Sequence, residues 1–377
     1  MSSWDWDGMF PSSDKTPVPI GVPAASDLQA SIDDIKMIPP QELYRLIVDG
    51  QFHKEQKGWL GYAKREPNCL PACFNALELF AFGDITDPSI SVELVKNIHK
   101  STTENVKQLN PHTKPGELRL SHGGYFLEER QFYPASNMNK EGFLELYKKN
   151  NDESAQYGTC IISMTKQDAL HLSSTSFYEQ VEAMENSTAS AEELWETGKD
   201  SLIPHVIFYR APRAEHLNTL LDHVCQQYNT DIKSATTPED KLKTIATVVQ
   251  QVARLHAFPD ANLRTSLILL QRLLLQNNFF PSMLYNPFYI LGYSVDTLVD
   301  EIKKGINNTK TMIHHPEQPL YDYKTVRLSI PAPPSGTVFT TAQQLLYDTI
   351  EKFYLAQDKL HQGIQSLKPS TTPNLNK

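Results

Sequence analysis

Between Asn262 and Asn277 the chain is apolar on nearly every side: Leu263, Leu267, Ile268, Leu269, Leu270, Leu273, Leu274 and Leu275 leave no clear polar stripe. A helix of that composition has no face for water and belongs at the centre of a domain, wrapped by other elements. The segment before it reads as one of the wrappers. In Thr237-Pro238-Glu239-Asp240 the Thr can cap, the Pro fits the first helical position and the acids complement the helix dipole. Ile245, Val248, Val249, Val252 and Leu255 then recur on one face. The two predicted helices, one to about Leu255 and one from about Asn262, leave only a tight turn between them. The fold class they imply is mainly α.

The rest of the chain divides by composition. Residues 1–38, with Pro11, Pro17, Pro19 and Pro23 among polar residues, read as a flexible N-terminal arm. Gln41–Gly50 reads as a short helix, and Leu77–Phe82 as part of another. Asp87-Pro88-Ser89 opens a helix carrying Val92, Val95, Ile98 and Val106. Glu117–Phe132, with Gly123-Gly124 near its middle, reads as a hairpin, and Met138–Lys148 returns to helix. From residue 150 to about 200 the apolar fraction drops, and Cys160-Ile161-Ile162 is an isolated strand-like piece. Val206–Tyr209 reads as a strand. Residues 331–367 form a linker and a C-terminal amphipathic helix with Leu345, Leu346, Ile350, Phe353 and Leu360. Residues 368–377 read as a disordered tail.

A formal charge of −9 makes a nucleic-acid partner a poor expectation. Four cysteines, Cys69, Cys73, Cys160 and Cys225, are too sparse for a disulfide framework and lack zinc-site spacing; reduced thiols are expected. No apolar run approaches the ~18 residues that span a bilayer. Met1–Pro11 is acidic and aromatic, unlike a signal peptide. A soluble chain is expected.

The turn itself, His256-Ala257-Phe258-Pro259-Asp260-Ala261-Asn262-Leu263-Arg264, gathers the groups that handle a nucleotide diphosphate. A loop leading into a helix N-terminus offers unpaired amides and a favourable dipole to an anion. Asn262 adds a side-chain amide and Arg264 a permanent cation suited to phosphate. Asp260 is a hard oxygen ligand of the kind Mg²⁺ takes. His256 titrates near neutrality and is placed to accept a proton from a hydroxyl. Phe258 would anchor the turn in the core.

This turn resembles the Fic-family signature, His-Pro-Phe-x-(Asp or Glu)-Gly-Asn-Gly-Arg, with His256, Phe258, Asp260, Asn262 and Arg264 at matching positions. Upstream, Val92–His99, Pro115-Gly116-Glu117-Leu118-Arg119 and the hairpin before Tyr133-Pro134 look like the family's early helix, P-G-x-x-R turn and target-positioning flap. The resemblance implies a Fic-like helical core over residues 39–330, with a short β-hairpin flap and an inserted α+β segment over about 150–235. It implies His256 as base toward a target Ser, Thr or Tyr hydroxyl and Asp260 as the Mg²⁺ ligand. Ala261, Asn262, Leu263 and Arg264 would hold donor phosphates. His122, Gly123, Gly124 and Tyr125 of the flap would align a protein substrate by strand addition. A bacterial effector delivered to a host cytosol, acting on a host protein, is one setting this suggests; an ordinary cytoplasmic enzyme is the other.

Four positions depart from the family pattern. Ala257 replaces Pro, and Ala261 and Leu263 replace both glycines. Leu267 stands where many members carry a second Arg, which meets the outer phosphate of ATP. A donor with only a diphosphate bridge needs fewer cations, so CDP-choline suits this turn better than ATP. The expected reaction is transfer of phosphocholine or AMP from a nucleotide donor. The alternative is a Fic-fold nucleotide- or protein-binding protein whose chemistry is lost.

Overall fold

The computed structural model describes residues 22–48, 50, 52, 58–83, 88–106, 114–127, 138–165, 190, 193, 195, 205–315 and 341–368. The helices among them are α1 (Ile32–Lys36), α2 (Gly58–Arg65), α3 (Cys69–Ala76), α4 (Val92–Thr103), α5 (Lys140–Tyr157), α6 (Leu217–Ser234), α7 (Pro238–Leu255), α8 (Asn262–Gln276), α9 (Tyr289–Gly292), α10 (Val295–His314) and α11 (Thr341–Gln365). The strands are β1 (Gly124–Leu127), β2 (Cys160–Thr165) and β3 (His205–Arg210). The molecule is mainly α-helical with one small antiparallel sheet, as the sequence implies.

Helix α8 lies at the centre. Leu267, Ile268, Leu269, Leu270, Leu273 and Leu274 are all buried, and α3, α4, α7 and a π-helical turn at Leu77–Ala81 pack round them. Even its polar residues are enclosed: the Gln271 side-chain amide donates to the carbonyls of Leu46 and Ser282, and Arg272 donates to the carbonyl of Phe80. Helix α7 starts where its sequence says. Thr237 and Asp240 form a reciprocal capping box ahead of Pro238. Ser91 caps α4, accepting from the Leu94 amide at 3.1 Å. That helix therefore begins at Val92 rather than at Asp87, and Val106 is buried beyond its end. The helix expected over Gln41–Gly50 is instead a 3₁₀ turn at Pro40–Leu46, whose i,i+3 spacing brings Arg45 onto Glu42.

The sheet has the order β1-β3-β2, both pairs antiparallel, with Gly124 opposite Arg210 and Cys160 opposite the same residue. Gly124 thus opens a strand rather than making a hairpin turn, and its partner comes from far along the chain. The Cys160 segment is not isolated either, because β3 pairs with it. The continuation toward Tyr133-Pro134 lies outside the described residues.

Two further expectations change. The arm foreseen over residues 1–38 is already folded from Ala25 onward: Leu28, Ile35 and Ile38 are buried, the Ala30 amide donates to the Asn278 carbonyl at 2.8 Å, and a capping box at Ser31 starts α1. The C-terminal helix is not an appendage. Phe353 of α11 stacks on Trp59 of α2 at 3.7 Å, and Leu360 and Ile364 are fully buried. Leu345 and Leu346, placed by sequence on the apolar face, are exposed. The linker from residue 331 and the tail from 369 lie outside the described residues.

Candidate active site

The turn between α7 and α8 is built on two left-handed residues. His256 closes α7 with φ 43° and ψ 50°, and Ala261 precedes α8 with φ 58° and ψ 17°. Such a conformation costs a non-glycine residue on the order of 1 kcal/mol. Ala261 bears this cost where the family motif carries glycine, and its small side chain allows the turn to keep its shape. Surrounding hydrogen bonds hold both residues.

Arg119 supplies the first set. Its Nε donates to the His256 carbonyl at 2.8 Å, its Nη1 to the Ser121 carbonyl at 2.6 Å and its Nη2 to the Pro212 carbonyl. The Arg119 amide adds a bond to the Ala257 carbonyl at 2.9 Å. One buried guanidinium therefore ties the Pro-Gly turn, the approach to β1, the exit from β3 and His256 together. It also explains Gly123: a Cβ there would lie 2.5 Å from Arg119 Nε. At Gly124 a Cβ would meet the Phe208 ring and the Tyr209 carbonyl at 2.5 Å. The two glycines are needed for close packing, not for a turn.

His256 presents its ring toward Tyr125, with centroids 5.6 Å apart. The His256 Nδ1 and the Tyr125 hydroxyl are both buried and without a hydrogen-bond partner among the described residues. Burial lowers the His256 pKa to about 4, with Arg119 adding to the effect and Asp260 opposing it. The imidazole is therefore neutral at physiological pH, the form a proton acceptor requires. Burial raises the Tyr125 pKa well above the usual phenol value. His122 is exposed at the approach to this strand.

Asp260 is 17 % exposed. Its Oδ1 accepts from the Ala261 amide at 2.6 Å and lies 3.9 Å from Arg264 Nη2. No side chain caps the start of α8, so the first-turn amides beside this carboxylate suit an anion. Among the described residues there is no group of three or more His, Cys, Asp or Glu to cage a metal. A carboxylate beside a helix N-terminus nevertheless fits Mg²⁺, which takes one or two carboxylates and completes its shell with water and substrate phosphates.

The other residues of the turn occupy less simple places. Asn262 is buried, and its side chain both accepts from the Phe258 amide at 2.9 Å and donates to the Phe258 carbonyl at 2.8 Å. Its first task is thus to clasp the loop, rather than to point a free amide at a donor. Arg264 turns inward: Nη1 lies 3.1 Å from Cys69 Sγ and 3.4 Å from Glu66. Burial works against its charge, but the sulfurs of Cys69 and Cys73 and the Glu66 carboxylate outweigh it and raise its pKa. Leu263 is half-buried and packs on the core, the inward orientation its helical spacing suggests. Leu267 is buried in the core.

Phe258 is the anchor expected of it, fully buried and stacked face to face on His99 at 3.8 Å. His99 is a site residue that sequence reasoning passed over, as is Glu66. A signal existed for His99: it lies four residues after Val95, on the apolar face of its helix. Nothing in the sequence brings Glu66 and Cys69 to Arg264.

The helical core thus brings an imidazole, a carboxylate and a helix N-terminus together in one turn. Residues 164–274 match the Fic/DOC family model, so the family suggested by the motif is the one found, in a segment that ends within α8. The match begins at residue 164, inside the stretch read as inserted. More particularly, the chain is 29 % identical over 300 residues to phosphocholine transferase AnkX of Legionella pneumophila. The alignment takes in 74 % of this chain and 29 % of AnkX, so the chain spans less than a third of that relative's length. Among the described residues, no helix is long and apolar enough to cross a membrane.

Proposed function

We propose that this chain is a Fic-type transferase that moves phosphocholine from CDP-choline to a hydroxyl of a protein substrate, with AMP transfer from ATP as the second candidate. The observation that carries the reading is the turn: a neutral, half-buried His256 and the Asp260 carboxylate flank the uncapped start of α8. Similarity to a phosphocholine transferase supports the choice of donor, as does Leu267 in place of a second phosphate-binding arginine.

In the reaction, His256 takes the proton of the target Ser, Thr or Tyr hydroxyl as its oxygen bonds to the phosphorus bearing choline. The bond from that phosphorus to the bridging oxygen breaks, and CMP leaves with the electron pair. Asp260 would hold Mg²⁺, which supplies charge neutralisation at the diphosphate. The first amides of α8 face the developing negative charge, and Arg264 stands behind them. Asn262 acts by keeping the loop in shape. The substrate segment would add to the edge of β1 away from β3, near His122, Gly123, Gly124 and Tyr125. Delivery into a host cytosol and action on a host protein remain part of this proposal.

The test is incubation of the full chain with CDP-choline or ATP, Mg²⁺ and a host lysate, read by mass spectrometry for additions on hydroxyl side chains. Wild type should add phosphocholine, and His256→Ala should lower the rate at least ~100-fold. Equal modification by His256→Ala overturns the base assignment. A second reading, a binding protein with the fold but no transfer, is favoured by the engagement of Arg264 with Glu66 and Cys69. Calorimetry separates the two: donor binding without any mass addition supports the second.

A further inference from the structure

We propose that His99 is a positioning residue for the Asp260 carboxylate, holding it and the adjoining amides in the orientation that a metal-bridged diphosphate needs. The inference rests on the transferase reading above. His99 comes from α4, remote in sequence from the turn, and is fully buried. Both of its ring nitrogens are used. The Gly116 amide donates to Nδ1 at 2.9 Å, which leaves the proton on Nε2, and Nε2 donates to the Asp260 carbonyl at 3.3 Å.

That carbonyl belongs to the same planar peptide unit as the Ala261 amide. The Ala261 amide in turn donates to Asp260 Oδ1 at 2.6 Å. Fixing the carbonyl therefore fixes the amide on the other side of the plane, and the amide fixes the carboxylate. The neighbouring Ala261 is in the left-handed region, where an unheld peptide would tend to flip. Stacking against Phe258 at 3.8 Å sets the plane of the imidazole. A purely space-filling role needs the ring alone. The two directed bonds, one to the Pro-Gly turn and one to the loop, are what a brace requires. Arg119 holds the His256 carbonyl in the same manner, so each chemical residue of the turn is held by its main chain.

Two variants separate bracing from filling. His99→Phe keeps a stacking ring and removes both hydrogen bonds. His99→Gln restores a donor toward Asp260. Two readouts apply to the full chain: hydrogen exchange without any nucleotide, and the Mg²⁺ dependence of CDP-choline binding by calorimetry. In His99→Phe the amides of Ala261–Leu263 should exchange about tenfold faster while those of α6 are unchanged, and half-saturating Mg²⁺ should rise roughly tenfold. His99→Gln should return both to within about threefold of wild type. The proposal is overturned if His99→Phe matches wild type, if His99→Gln fails as His99→Phe does, or if α6 loosens equally. Absence of Mg²⁺-dependent binding of CDP-choline or ATP by the wild type sinks the transferase reading instead. Exchange at Ala261–Leu263 then still decides whether His99 holds the loop.

Discussion

Two imidazoles sit in the turn and its support, and burial lowers both His99 and His256 to about 4. In an unfolded chain each would titrate near 6.5. As pH falls below 6.5 the unfolded state therefore binds protons that the native state refuses. Stability is full above that value and is lost progressively toward pH 4. Each group contributes a slope of about 1 kcal/mol per pH unit within this window. Urea midpoints at pH 5 and pH 7 should show the fall, and His99→Gln should reduce it. Equal midpoints would show that neither ring is buried neutral. Under the proposed transferase mechanism, the same shift would keep His256 able to accept a proton below pH 6, so the acid limb of the rate should lie near pH 4 to 5 rather than 6.5. At this scale the burial of Phe258 was legible from residue type and spacing, as was the gathering of His256 and Asp260 in one turn. The clasp made by Asn262 and the inward turn of Arg264 were not, because both depend on partners that only the fold supplies.

At the scale of elements, α7 and α8 carry their own instructions. Capping chemistry and hydrophobic period are local, and both helices appear at the residues these signals indicate. The capping box at Thr237 lies at the far end of α7 from the turn, so it contributes stability without touching the site. Thr237→Ala should cost about 1 kcal/mol in chemical denaturation and leave nucleotide binding unchanged. A change in donor affinity would mean that α7 transmits strain to His256. The strands behave differently. Gly123-Gly124 looks like a hairpin locally, yet Gly124 begins β1 because β3, far along the chain, offers it a partner. A pair of glycines marks close approach as readily as a turn, and only the Arg119 and Phe208 side chains overhead decide which.

Across the whole molecule the ends of the described chain close the core. Ala25–Ile38 bonds to the segment after α8, and α11 lays Phe353 between Trp59 and Phe74. Phe353→Ala should therefore cost about 3–5 kcal/mol, read as a lower thermal midpoint with loss of the near-ultraviolet tryptophan signal. An unchanged midpoint would restore the view of α11 as an appendage. By itself the sequence determined the helical class, the buried centre and the set of polar groups gathered at one turn. Periodicity, capping and residue type act over a few residues and need no knowledge of the fold. Tertiary structure decided the rest: which strand pairs with β1, that Ala25–Ile38 and α11 complete the core, and that Arg119 and His99 bond to the main chain of the turn. Those outcomes depend on contacts between residues distant in sequence, where burial and hydrogen-bond geometry choose among partners that local signals leave equivalent.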